Sequence, residues 1–150
     1  MNHLFKNKLD YNYIADGIFI GTNQCCQMHF DGLLLKNGIS ADISLEKDRV
    51  DAPFGVDFFI WIPTEDHTAP TPDQLEFGVS VLEKIVAIGK KVYVHCKNGH
   101  GRASTLVAAY LIKKGKTLEE AIAFIKLKRS SVHLGETQKQ ALREFAQSLK

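Results

Sequence analysis

Cys96 and Arg102 lie six places apart in the run VYVHCKNGHGRAST, Val92 to Thr105, with Gly99 and Gly101 between them. A thiolate is a strong nucleophile, and a guanidinium offers a planar fork to two oxygens of a phosphate-like group. The glycines let the chain curl and turn its amides toward an anion with no side chain in the way. A helix beginning at Arg102 would add the partial positive charge of its first-turn amides to the same concavity. Strand, thiol, glycines, arginine and helix in this order describe a nucleophile aimed at a bound oxyanion. A lone cysteine at the end of a core strand is ordinarily a small buried hydrophobe, and a lone arginine at a helix start a solvated charge. That plainer reading suits Cys25 and Cys26, which have neither a glycine loop nor an arginine at matching distance.

Such a loop must hang between a strand and a helix. KVYVHC, 91–96, supplies the strand, and the nearly all-apolar segment 102–114 the helix, buried against a sheet. Further strands are expected at GIFIGT (17–22), ISADISL (39–45) and VDFFIWIP (56–63). The last is apolar almost without alternation, as expected of a strand covered on both faces. Cys25 to Asn37 reads as a helix closed by Gly38. Thr71, Pro72 and Gln74 open a helix running to about Gly89, Thr117 and Glu120 cap another through Lys128, and Gly135 to Lys150 form the last. Strands alternating with helices predict an α/β domain: a mostly parallel central sheet with helices on both faces and the Cys96 loop between a central strand and a buried helix. Ligands of such sheets bind at the carboxyl ends of the strands, where this loop lies.

At 150 residues, 45% hydrophobic and 24% charged, the chain is expected to form one globular domain over 1–150, without linker or repeat. The N-terminal dozen residues lack the apolar core of a secretory signal, and the longest apolar run, Leu106 to Ile112, is too short to span a bilayer. The expectation is a cytoplasmic monomer with no integral membrane segment, whose cysteines stay reduced. A net charge of +2 gives no argument for a nucleic-acid partner. No cofactor or metal is expected. His95, Cys96 and His100 make a poor metal site, because a loop wrapped around an anion directs its amides inward and its side chains apart.

HCKNGHGRAS resembles the active-site loop of cysteine-dependent protein phosphatases, and the chain length suits their small dual-specificity branch. The resemblance extends from about Asp16 to the C-terminus. It implies that Cys96 takes the phosphoryl group as a phosphocysteine, that Arg102 clamps the equatorial oxygens, and that Lys97, Asn98, Gly99, His100, Gly101 and Arg102 form the substrate-binding loop. His95 would hold the loop from behind. The leaving group needs a proton donor, and PTEDHTAPT, 63–71, resembles the family's general-acid loop, with Asp66 as the acid and Glu65 as the alternative. GETQKQ, 135–140, resembles the segment that positions the hydrolytic water in some members, which gives Gln140 a supporting role. One residue departs from the pattern. Ala103 follows the arginine where the family has a hydroxyl that bonds the sulfur, and the expected consequence is slow breakdown of the phosphoenzyme.

The substrate expected from this branch is a protein carrying phosphotyrosine, phosphoserine or phosphothreonine. A phospholipid is the alternative, because Cys-Lys-x-Gly followed by TLVAAYLI is close to the phosphoinositide and phosphatidylglycerophosphate phosphatases. A weakly active phosphate-binding module is the reading from another class. Sulfurtransferases and arsenate reductases also use a cysteine in an anion loop, but have no need of an acid at Asp66.

Overall fold

The computed structural model describes residues 9–23 and 30–150. The chain enters the sheet through a hairpin, β1 (Tyr11–Ala15) against β2 (Ile18–Gly21), paired antiparallel. Asp16 and Gly17 make its two-residue turn, with φ of 55° and 84°. Positive φ at both central positions is what the tight hairpin turn demands, and Asp-Gly is among the pairs that supply it. β1 lies outside the strands expected above, which begin at Gly17. Its signal was this aspartate–glycine pair.

β3 (Ile39–Glu46), β4 (Phe58–Thr64) and β5 (Lys91–His95) complete a five-stranded sheet in the order β1-β2-β5-β3-β4. All pairings except β1 with β2 are parallel. On one face pack α2 (Pro72–Ala87), α3 (Arg102–Lys113), α4 (Leu118–Lys128) and α5 (Glu136–Ser148), around a core that includes Ile20, Ile43, Val94, Leu106, Val107 and Leu142. The short α1 (Gly32–Lys36) covers the other face over Phe19, Leu34, Ile39 and Tyr93. The expected α/β architecture is therefore present, with its helices divided unequally.

Two expectations are corrected. Of the helix expected over Cys25 to Asn37, the described residues hold α1: Asp31 caps it by accepting from the Leu33 amide at 2.8 Å, and Phe30 and Asp31 are not helical. Cys25 and Cys26 lie outside the described residues. β4 is not a doubly covered strand but the sheet's edge, with Phe58 and Trp61 42% and 46% exposed. An apolar run does not distinguish a buried strand from an edge strand, because the edge is set by the order of the strands in the sheet. Trp61 donates its Nε1 hydrogen to the Glu46 carbonyl at 2.7 Å.

The parallel register brings the ends of the strands into line. Gly21 and Ser44 both pair with His95, and Glu46 pairs with Thr64. The residues that follow these strand ends form one edge of the sheet, and the chemistry lies along it.

Candidate active site

Residues 96–101 leave β5 and curl into α3. Gly99 has φ 67°, and a side chain there would meet the backbone of Gly21 at 2.6 Å, so both its conformation and its surroundings require glycine. Gly101 has ordinary φ, −119°. It is glycine for another reason: a Cβ would come within 2.7 Å of the Gln138 amide. As the residue capping α3, Gly101 has no side chain to occupy the first-turn amides, which stay available to an anion.

Cys96, Asp66 and Arg102 line one pocket of about 240 Å³ together with Asn98, His100, Gly101, His67, His133, Gly135 and Gln138. The pocket is smaller than the roughly 300–1,000 Å³ of sites that enclose whole drug-sized ligands, and suits a phosphate with its immediate ester group. Cys96 is 3% exposed. Of the predicted binding residues, exposed Lys97 and buried Gly99 are not in the lining. Gly99 instead turns its carbonyl away from the pocket, accepting from Arg129 Nε at 3.1 Å and Ser104 Oγ at 3.3 Å.

Arg102 is buried and aimed from three sides. Nη1 donates to the Thr64 carbonyl at 2.9 Å, and Nη2 lies 3.3 Å from Glu46 Oε2 and 3.5 Å from Asp66 Oδ1. Its Nε has no partner among the described residues. A buried guanidinium N–H without a partner calls for an explanation, and an acceptor oxygen bound beside Arg102 would supply one. Glu46 is held below the ordinary carboxylate value: burial pushes it up, but the Asp48 amide, the Asn23 amide and the Arg102 guanidinium together outweigh that. It therefore supplies a fixed negative charge against Arg102.

Asn23 extends this chain of contacts behind the loop. Its Nδ2 donates to Glu46 Oε2 at 3.2 Å, which leaves Oδ1 facing His95 Nδ1 at 3.0 Å, so that nitrogen carries a hydrogen. On the ring's other side Nε2 stands 2.9 Å from Asp42 Oδ1, off the direction of a straight hydrogen bond. His95 thus touches Asn23, Asp42 and the stacked Tyr93 ring, and does not line the pocket.

Asp66 follows β4 in a tight turn. Its Oδ1 accepts from the His67 amide at 2.9 Å, and the turn closes through Thr68 N to the Glu65 carbonyl at 3.1 Å. The α2 capping box anchors the loop's end: Thr71 and Gln74 bond reciprocally at 2.9 and 3.2 Å, and Gln74 Nε2 reaches the Pro63 carbonyl.

A family model for the dual specificity phosphatase catalytic domain matches residues 18–148. The chain belongs to the dual specificity phosphatase family. It is 44% identical over 86 residues to the human phosphatidylglycerophosphatase and protein-tyrosine phosphatase 1, across 56% of this chain and 43% of that protein. It is 37% identical over 87 residues to the phosphatidylglycerophosphate phosphatase PTPMT2 of Arabidopsis thaliana, across 57% and 38%. The match thus spans less than half the length of these curated relatives. The crystal structure of PTPMT1 in complex with PI(5)P superposes with a TM-score of 0.80 at 28% identity, covering 93% of this chain and 96% of that one.

Within this dual specificity phosphatase domain, Gln140 is not where the sequence placed it. It lies on the outer side of α5, bonded to Glu144 and Arg143. The glutamine in the pocket is Gln138, 4% exposed, whose Oε1 accepts from the Gly135 amide at 2.9 Å and whose Nε2 donates to the Thr68 carbonyl at 3.0 Å. Helical periodicity carried the signal: Gln138, Leu142 and Phe145 form the buried stripe of α5, and Gln140 is about 200° around from Gln138.

Sequence reasoning also missed Asn23, Glu46 and Arg129. The first two are polar residues at the carboxyl ends of β2 and β3, and that location was their only signal. Arg129, 1% exposed, had none; it bonds the loop carbonyls of Gly99 and Asn98 at 3.1 and 2.9 Å. The two hydroxyls that follow Ala103 are engaged elsewhere. Ser104 Oγ bonds the Gly99 carbonyl at 3.3 Å and Thr105 Oγ1 the Gly101 carbonyl at 2.7 Å, and among the described residues no hydroxyl donates to Cys96.

Proposed function

We propose that this chain hydrolyses phosphate monoesters through a phosphocysteine intermediate, with a phospholipid headgroup of the phosphatidylglycerophosphate type as substrate. The observation that carries the chemistry is the bare Nε of buried Arg102 in the pocket that Cys96 and Asp66 share. The substrate phosphate accepts hydrogen bonds from that N–H and from the loop and first-turn amides. Cys96 thiolate attacks phosphorus in line, the S–P bond forms, the P–O ester bond breaks, and protonated Asp66 gives its hydrogen to the leaving oxygen. Asp66 carboxylate then takes a proton from water as that water attacks phosphorus, and the sulfur leaves as thiolate.

The phosphoprotein substrate expected from the sequence gives way to the lipid alternative. Both relatives above carry phosphatidylglycerophosphatase names, the human one together with protein-tyrosine phosphatase, and a neighbouring structure holds PI(5)P, which favours a lipid. Among the described residues no helix is long and apolar enough to cross a membrane.

Phosphate release is to be measured from phosphatidylglycerophosphate in mixed micelles, from phosphoinositides and from phosphopeptides. The expected order puts phosphatidylglycerophosphate first in kcat/KM, with all release lost in Cys96→Ser. A preference for phosphopeptides would restore the protein-phosphatase reading. Phosphate binding without release would make the domain a binding module.

A further inference from the structure

Resting on that reading, we propose that Gln138 is a positioning residue for the general acid: it fastens the Asp66 loop over Cys96. Two polar contacts from other elements reach residues 65–70 among the described residues. One is Arg102 Nη2 to Asp66 Oδ1 at 3.5 Å, the other Gln138 Nε2 to the Thr68 carbonyl at 3.0 Å. They do not persist equally through the reaction. When phosphate occupies the pocket, its negative charge competes with Asp66 for the guanidinium, and Asp66, to serve as acid, is protonated and no longer an ion-pair partner. The contact from Gln138 depends on neither charge. It is the tie that survives into the step in which Asp66 is needed.

The geometry of Gln138 suits this task. Its amide orientation is fixed, since Oε1 must accept from Gly135 N and only Nε2 can then donate to Thr68. The side chain is buried and both ends of its amide are bonded, so it can shift only by giving up those bonds. It also packs so closely on Gly101 that a single added carbon there would collide with it. Gln138 therefore spaces the acid loop from the nucleophile loop, touching both. His67, between Asp66 and Thr68, has φ 65°, the left-handed conformation that turns the chain at this point.

A residue that acts through the acid has a kinetic signature that a merely structural one lacks. The test compares single-turnover phosphorylation of Cys96 by aryl phosphates with good and poor leaving groups, in wild type, Gln138→Met, Gln138→Glu, Asp66→Asn and the double variant Asp66→Asn/Gln138→Met. Gln138→Glu keeps the acceptor for Gly135 and loses the donor to Thr68, so it separates the tie from the α5 start. Both Gln138 variants are expected to slow the poor leaving groups about tenfold more than the good ones, a fraction of the 10²–10⁴ that a positioned acid contributes. With Asp66 already asparagine, the Gln138 change is expected to have no further leaving-group dependence. A loss uniform across leaving groups, or one that adds fully to that of Asp66→Asn, overturns the proposal. If Asp66→Asn itself shows no leaving-group dependence, the assignment of the acid fails instead, and the two failures are distinct.

Discussion

Ala103 stands where the resemblance to the family's loop implies a hydroxyl, and its consequence falls on the second half of the reaction. A sulfur departing from phosphorus carries negative charge, and a hydroxyl hydrogen bond to it lowers that barrier by an amount typical of charge-assisted bonds, roughly 1.5–3 kcal/mol. The hydroxyls of Ser104 and Thr105 are already engaged with the carbonyls of Gly99 and Gly101. Wild-type enzyme mixed with an aryl phosphate is therefore expected to release a burst of phenol close to one equivalent before a slow steady state, and Ala103→Ser to raise the steady rate about tenfold while shrinking the burst. A linear wild-type time course would show that breakdown is not limiting. Glu46 acts at the same scale through charge. It lies below the ordinary 4.5 of a glutamate, because hydrogen bonds and the Arg102 guanidinium outweigh its burial. A depressed carboxylate contributes stability that is complete above its unfolded value and is lost as pH falls through the folded one. Wild type should therefore lose Tm more steeply than Glu46→Gln as pH drops below 4.5. Parallel curves would remove Glu46 from the acid response.

At the scale of elements, the loop between β5 and α3 uses its two glycines differently, and the difference is measurable. Alanine at Gly99 would face a left-handed φ and the Gly21 backbone at 2.6 Å, with nothing flexible to yield. Alanine at Gly101 would meet only the Gln138 side chain. Gly99→Ala is expected to lower stability by about 2 kcal/mol or more in urea unfolding, whereas Gly101→Ala should stay within about 1 kcal/mol and lose rate. Equal stability losses would mean that Gln138 cannot move aside. Both glycines were visible in the sequence, but not which constraint each answers, because one depends on φ and the other on a residue 37 places away. The same limit runs through the fold. Capping residues announced α2 and α4 correctly, since Thr71–Gln74 and Thr117–Glu120 are local signals. The edge position of β4 was hidden because it depends on strand order, which no residue within β4 encodes. Cys96, Arg102 and Asp66 were legible from spacing and resemblance, whereas Asn23, Glu46 and Arg129 act through register and were not.

For the molecule as a whole, Arg129 shows how distant segments are made to agree on one loop shape. It stands at the end of α4, 30 residues from Gly99, 31 from Asn98, 117 from Asn12 and 119 from Asp10, and its guanidinium contacts all four. The ion pair to Asp10 is long, 3.4 Å, and its carboxylate is 60% exposed, so it contributes little. The bonds to the two loop carbonyls decide the effect: they are charge-assisted and made by a buried side chain, and removing the donor leaves acceptors that water reaches poorly. They also turn those carbonyls away from the pocket, which keeps its interior lined by amides rather than by oxygens that would repel phosphate. Arg129→Met, close in length and without donors, is therefore expected to lower unfolding free energy by about 3 kcal/mol. It should also raise the inhibition constant of inorganic phosphate, because carbonyls released from Arg129 are free to turn inward. Arg129→Lys, with a single ammonium for two carbonyls, should fall between wild type and Arg129→Met in both measurements. If Arg129→Met unfolds at the wild-type urea concentration and binds phosphate equally well, the loop holds its shape without this brace, and the glycines and the α3 start alone determine it.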